Sequence, residues 1–217
     1  MLDLKSKFDK SKIDISVYGS EEKQARIVRF FTDFVQTWLA PLVRLFSRFG
    51  MTANMFSMFS LVVSIFFPIV IIFSPGWAAF LLALHIFFDS FDGALARYMG
   101  QNNNKGAMID LFSDLVAICT TMVGFELFDL IPGWLALLYV FLYSANIMMI
   151  MLRQGLRSRM RWNVRPRWAV YTAFFVAVIF HLDAMVQVVF LSTLLLLGNV
   201  FVHYRAMWKI NANEYFE

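Results

Sequence analysis

Apolar residues run along this chain in long blocks, and the polar residues fall mainly between them. Six blocks approach or exceed the ~20 residues that a helix needs to cross a hydrocarbon core of roughly 30 Å. They cover residues 51–73, 77–98, 107–127, 133–152, 168–182 and 184–206, the fifth being the shortest. A different pattern precedes them. Ile27, Phe30, Phe31, Phe34, Trp38, Leu42, Leu45, Phe46 and Phe49 recur at helical spacings, with Lys23, Arg26, Arg29, Arg44 and Arg48 between them. This spacing predicts an amphipathic helix lying in the headgroup plane, with a kink or break at Pro41. A helix packed on a soluble core is the alternative, but the rest of the chain offers no such core. Residues 1–22 are charged and without period. The organisation expected is therefore a polar cytoplasmic arm over 1–22, a juxtamembrane amphipathic helix over 23–50, and a six-helix membrane domain over 51–217 that ends in a short cytoplasmic tail. The fold class is all-α integral membrane.

Composition agrees with the pattern. Of 217 residues, 60% are hydrophobic, and the mean hydropathy is +0.65; a soluble domain lies nearer half apolar. A net charge of +4 would raise nucleic acid as a partner for a soluble protein. Here the basic residues flank apolar blocks, so membrane lipids are the expected partners and nucleic acid is not. Loops 74–76, 128–133 and 181–184 hold no Lys or Arg, whereas 153–167 holds six Arg, and the 98–106 loop and the N-terminal region are also basic. Positive-inside bias then puts both termini and both basic loops in the cytoplasm, as an even number of spans allows. Cys119 has no second cysteine to pair with, which excludes a disulfide framework. No apolar h-region interrupts the first 26 residues, so no cleavable signal peptide is expected.

Against this background the aspartates at 89, 92, 110 and 114 need an explanation. Asp89 precedes Arg97 by eight residues, and Asp114 follows Gly106 by eight. If spans two and three are antiparallel neighbours, both carboxylates lie roughly 12 Å from the shared loop. Asp89 and Asp92 are three residues apart, and Asp110 and Asp114 four, so each pair shares a helix face. Facing one another, the four would converge. Together they could not all stay ionised in a low-dielectric setting without protons or cations among them. Hard carboxylate oxygens suit Mg²⁺, Mn²⁺ or Ca²⁺, and four of them could hold two ions at the spacing of phosphoryl chemistry. Gly93 and Ala96 leave room beside the backbone, Arg97 can reach a diphosphate as a planar fork, and Gly106 opens span three without a side chain. From these residues alone an ion path in a transporter is the alternative. A structural ion-pair cluster is weaker, because Arg97 cannot balance four aspartates.

The string Asp89-x2-Asp92-Gly93-x2-Ala96-Arg97-x8-Gly106-x3-Asp110-x3-Asp114 resembles the signature of the CDP-alcohol phosphotransferase (CDP-alcohol phosphatidyltransferase) family at every fixed position. The likeness extends to an interfacial helix followed by six spans. One departure occurs at Thr52-Ala53-Asn54, where many members carry Pro-Asn and this chain has Ala before Asn54. The resemblance implies a transferase that cleaves the diphosphate of a CDP-linked substrate and releases CMP. It implies two divalent ions, Mg²⁺ or Mn²⁺, ligated by Asp89, Asp92, Asp110 and Asp114, with Asp114 also acting as general base. It implies that Gly93, Ala96, Arg97, Gly106 and Asn54 line the CDP site. The expected reaction moves the phosphatidyl group of CDP-diacylglycerol to a small hydrophilic alcohol; transfer of a CDP-linked headgroup to diacylglycerol uses the same motif and is the alternative. Lys105, Arg153, Arg157 and Arg205 are candidates for gripping an anionic acceptor, although a topology signal explains the arginine run fully. His85 is expected to be a packed or hydrogen-bonded histidine. Resemblance also implies a homodimer, and a prokaryotic cytoplasmic membrane with the site on the cytoplasmic side.

Overall fold

Apolar blocks bounded by Pro, Gly and Ser become helices because a helix satisfies its own backbone where water is absent. In the computed structural model, which describes residues 40–100, 104–155 and 165–208, with backbone only for 104–108 and 153–155, the helices are α1 (Ala53–Phe73), α2 (Pro75–Met99), α3 (Asn104–Leu127), α4 (Gly133–Gly155), α5 (Arg167–Phe180) and α6 (Met185–Trp208). The described residues contain no strand. The expected arm over 1–22 and most of the amphipathic helix expected over 23–50 lie outside them. Residues 40–48 are helical and end before Gly50, whose φ of 73° suits glycine.

Four helices, α1, α2, α4 and α6, are long and apolar enough to cross a membrane. The other two expected spans differ. α3 has 24 residues but carries Lys105, Asp110, Asp114 and Glu126. α5 is apolar but has only 14 residues, a rise of about 21 Å. It stops at His181, which adopts a left-handed conformation with φ 54°.

α1 packs against both α2 and α3, α4 against α6 and α3, and α5 against α6 and α2. α2 and α3, the neighbours expected to face one another directly, are thus held chiefly through α1. Two apolar clusters bracket the level of the aspartates. Val43, Ala53, Phe56, Phe91, Ala94 and Leu95 form one, with Phe46 packed edge-on against Phe56 and Phe91. The larger is built on Phe67, Met122, Phe125, Tyr139, Tyr171 and Phe174.

Close approach of α1 and α3 depends on Gly124. A Cβ added there would lie 2.8 Å from two ring carbons of Phe67 and 3.2 Å from the Pro68 Cα. The ring is locked against Phe125 and Phe174, so it cannot easily move aside. Gly124→Val should lower the unfolding temperature in detergent, at a cost of about 1–3 kcal/mol from overpacking. Gly198→Ala, where no atom lies within 4 Å of the added carbon, should be neutral or mildly stabilising. Equal melting temperatures for the two variants would contradict this packing.

Candidate active site

α2 brings Asp89 and Asp92 to the polar level, and α3 brings Asp110 and Asp114. Asp89, Asp110 and Asp114 each offer an oxygen within 4.8 Å of the others. Asp114 is buried and Asp110 more open. Three of the four aspartates therefore converge, with Asp92 within electrostatic reach of Asp89 and Asp110. Three residues advance a helix by about 300°, so Asp92 sits some 60° round α2 from Asp89. That rotation turns it towards α1, where the Ser57 hydroxyl donates to Asp92 Oδ2 at 2.5 Å. Ser113 on α3 in turn donates to the Ser57 carbonyl at 3.5 Å. One turn along α1, the Ser60 hydroxyl meets His85 Nδ1 at 2.7 Å, and the His85 ring stands edge-on to Tyr171. His85 is thus a packed, hydrogen-bonded histidine, as expected.

The charge of the trio is partly offset from an unexpected direction. Arg167 opens α5 with a buried side chain. Its Nη2 donates to Asp89 Oδ2 at 3.2 Å and its Nη1 to Asp114 Oδ1. Arg165 lies within electrostatic reach of Asp110 and Asp114. The guanidinium thus spans α2 and α3 from a third helix, which an argument from Arg97 alone does not anticipate.

The remaining candidates divide. A Cβ at Gly93 would lie 3.3 Å from Arg97 Nη1, so the space Gly93 leaves is used by the arginine one turn along the same helix. Ala96 packs against the Phe56–Phe91 cluster. Asn54 is exposed in the first turn of α1, three residues before Ser57. Lys105 and Gly106 lie in the first turn of α3, and Arg153 near the end of α4, where only backbone is described; Arg157 lies outside the described residues. Arg205 is exposed on α6 with its guanidinium 5.6 Å from the centre of the Phe201 ring. Sequence reasoning passed over Ser57, Ser60 and Arg167. The signals were present: Ser57, Ser60 and Ser64 recur at helical spacing along one face of an otherwise apolar span, and Arg167 is the last arginine before an apolar block.

An all-oxygen donor set at this separation fits a hard divalent cation, and the bound guanidinium shows that a positive charge is accommodated there.

The sequence profile described as CDP-alcohol phosphatidyltransferase matches residues 50–210. The chain is similar to the cardiolipin synthase (CMP-forming) of Streptomyces coelicolor, with 39% identity over 64 residues, 30% of each chain; the match thus spans under a third of that relative's length. It also resembles the crystal structure of phosphatidylinositol phosphate synthase from Mycobacterium tuberculosis in apo form, with a TM-score of 0.65 and 18% identity over 78% of this chain and 95% of that one. At that identity the likeness is one of fold.

Proposed function

Since the chain belongs to the CDP-alcohol phosphatidyltransferase family, we propose that it transfers the phosphatidyl group of CDP-diacylglycerol to a small hydrophilic alcohol and releases CMP. The observation that carries this reading is the meeting of Asp89, Asp110 and Asp114 within the matched segment. The family match displaces the transporter alternative. All six helices cross or enter the bilayer on this reading, with α5 as a short span, and the amphipathic segment before them lies in the interface. Both termini and the carboxylate site face the cytoplasm, and the chain works as a homodimer.

Asp89, Asp110 and Asp114 would hold two Mg²⁺ or Mn²⁺ ions, joined by the Asp92 oxygen that Ser57 leaves available. Bound there, the ions would neutralise the diphosphate and acidify the attacking hydroxyl. Asp114 takes the proton from the acceptor hydroxyl. The freed oxygen attacks the phosphorus that carries the diacylglycerol, the bond between the two phosphates breaks, and CMP leaves with the bridging oxygen. Gly93, Ala96, Arg97, Gly106 and Asn54 belong to the CDP side of the site, Arg97 by swinging from its place over Gly93. Lys105, Arg153, Arg157 and Arg205 remain candidates for an anionic acceptor.

Ser57 fixes one oxygen of Asp92 in a buried setting. Ser57→Ala removes that hydroxyl donor, a loss of about 1–3 kcal/mol, and should slow turnover by about tenfold or more while Ser57→Thr retains most of it. Steady-state rates that match wild type in Ser57→Ala would remove the serine from this role. The donor is tested by two parallel reactions in mixed micelles: CDP-diacylglycerol with a panel of free alcohols, and CDP-linked headgroups with diacylglycerol. New phospholipid by mass spectrometry is expected in the first arm; product only in the second would reverse the assignment of substrates.

A further inference from the structure

The Arg167 guanidinium and a divalent ion require the same carboxylates. Arg167 donates to Asp89 and Asp114, and these supply two of the three clustered oxygens. Two dications and a guanidinium in one low-dielectric site repel one another strongly. We propose that Arg167 is the resident counter-ion of the metal-free site, and that it surrenders Asp89 and Asp114 when divalent metal loads, so that this arginine sets the metal affinity. The inference rests on the metal site argued above.

A second observation points to a side chain with two seats. Among the described residues, Arg167 Nε is buried without a hydrogen-bond partner, and so are the hydroxyls of Tyr139 and Tyr171. Orphaned buried polar groups are uncommon and costly. Tyr171 lies one turn along α5 from Arg167, on the same face. Tyr139, Tyr143 and Tyr171 all lie within electrostatic range of the guanidinium. Phenolic oxygens are neutral acceptors, suited to receive an arginine that has left a carboxylate. While metal is absent the ion pairs keep the carboxylates from facing one another uncompensated; breaking such a buried pair by removing one partner is strongly destabilising.

The test is Mn²⁺ binding by electron paramagnetic resonance on the full chain in detergent, without substrate, together with melting temperatures with and without Mn²⁺. Arg167→Gln should bind Mn²⁺ about tenfold more tightly than wild type, because the ion no longer displaces a cation. Its melting temperature should fall without metal and recover most of the difference at saturating Mn²⁺. Arg167→Lys, which keeps a charge but loses the fork, should lie between them, and it carries the test if the glutamine variant does not fold. Unchanged or weaker Mn²⁺ affinity in these variants would overturn the competition, since a merely structural arginine would weaken binding on removal. Wild-type protein that binds no Mn²⁺ would instead remove the metal site itself.

Discussion

Asp114→Asn is expected to lower phosphatidyl transfer by about 10²–10⁴-fold, the usual contribution of a positioned general base. The substitution keeps the side chain's shape and an oxygen that can accept from Arg167, but an amide takes no proton from a hydroxyl. Because Asp114 is buried beside Arg167, some loss of stability accompanies the change, so the melting temperature must be followed alongside the rate. The informative comparison is single-turnover CMP release at saturating metal. A folded variant with near-normal turnover would take Asp114 out of the base role and leave it as a ligand or an ion-pair partner.

Removal of divalent metal should have an effect at least as large. Three carboxylates and one guanidinium cannot by themselves neutralise a diphosphate or acidify an alcohol, and bound divalent metal would supply both functions. Chelation should reduce turnover by about 10³-fold or more, and Mg²⁺ or Mn²⁺ should restore it. Restoration matters as much as loss. Arg167 bridges Asp89 and Asp114, so the metal-free protein should remain folded and recover fully. Activity that persists after exhaustive chelation would place the chemistry elsewhere. Irreversible loss with unfolding would show that the arginine does not support the empty cluster.

Much of this architecture is legible in the sequence. Apolar blocks and their Pro-Gly interruptions located the helices closely, because lipid demands uninterrupted apolar helices and turns demand those residues. The similar depth of Asp89 and Asp114 follows from counting along two helices. What counting could not give is which third element meets a given face. Ser57 reaches Asp92 across 35 positions, and Arg167 reaches Asp89 across 78. Helical periodicity says which side chains share a face of one helix, not what that face touches. The hydroxyl that α1 presents to Asp92 is of this kind. Similarly, spacing along α2 does not reveal that the Arg97 guanidinium lies over the space beside Gly93. The shortness of α5 was visible only in part: the apolar block from 168 was clear, while the end of the helix at Phe180 depends on the left-handed His181.

The most direct measurement is CMP formation by the purified chain in CDP-diacylglycerol micelles with Mg²⁺ or Mn²⁺, across a panel of free and phosphorylated small alcohols. At least one alcohol is expected to yield CMP and a new phospholipid in equal amounts. No CMP with any alcohol, from folded protein that binds Mn²⁺, would contradict it.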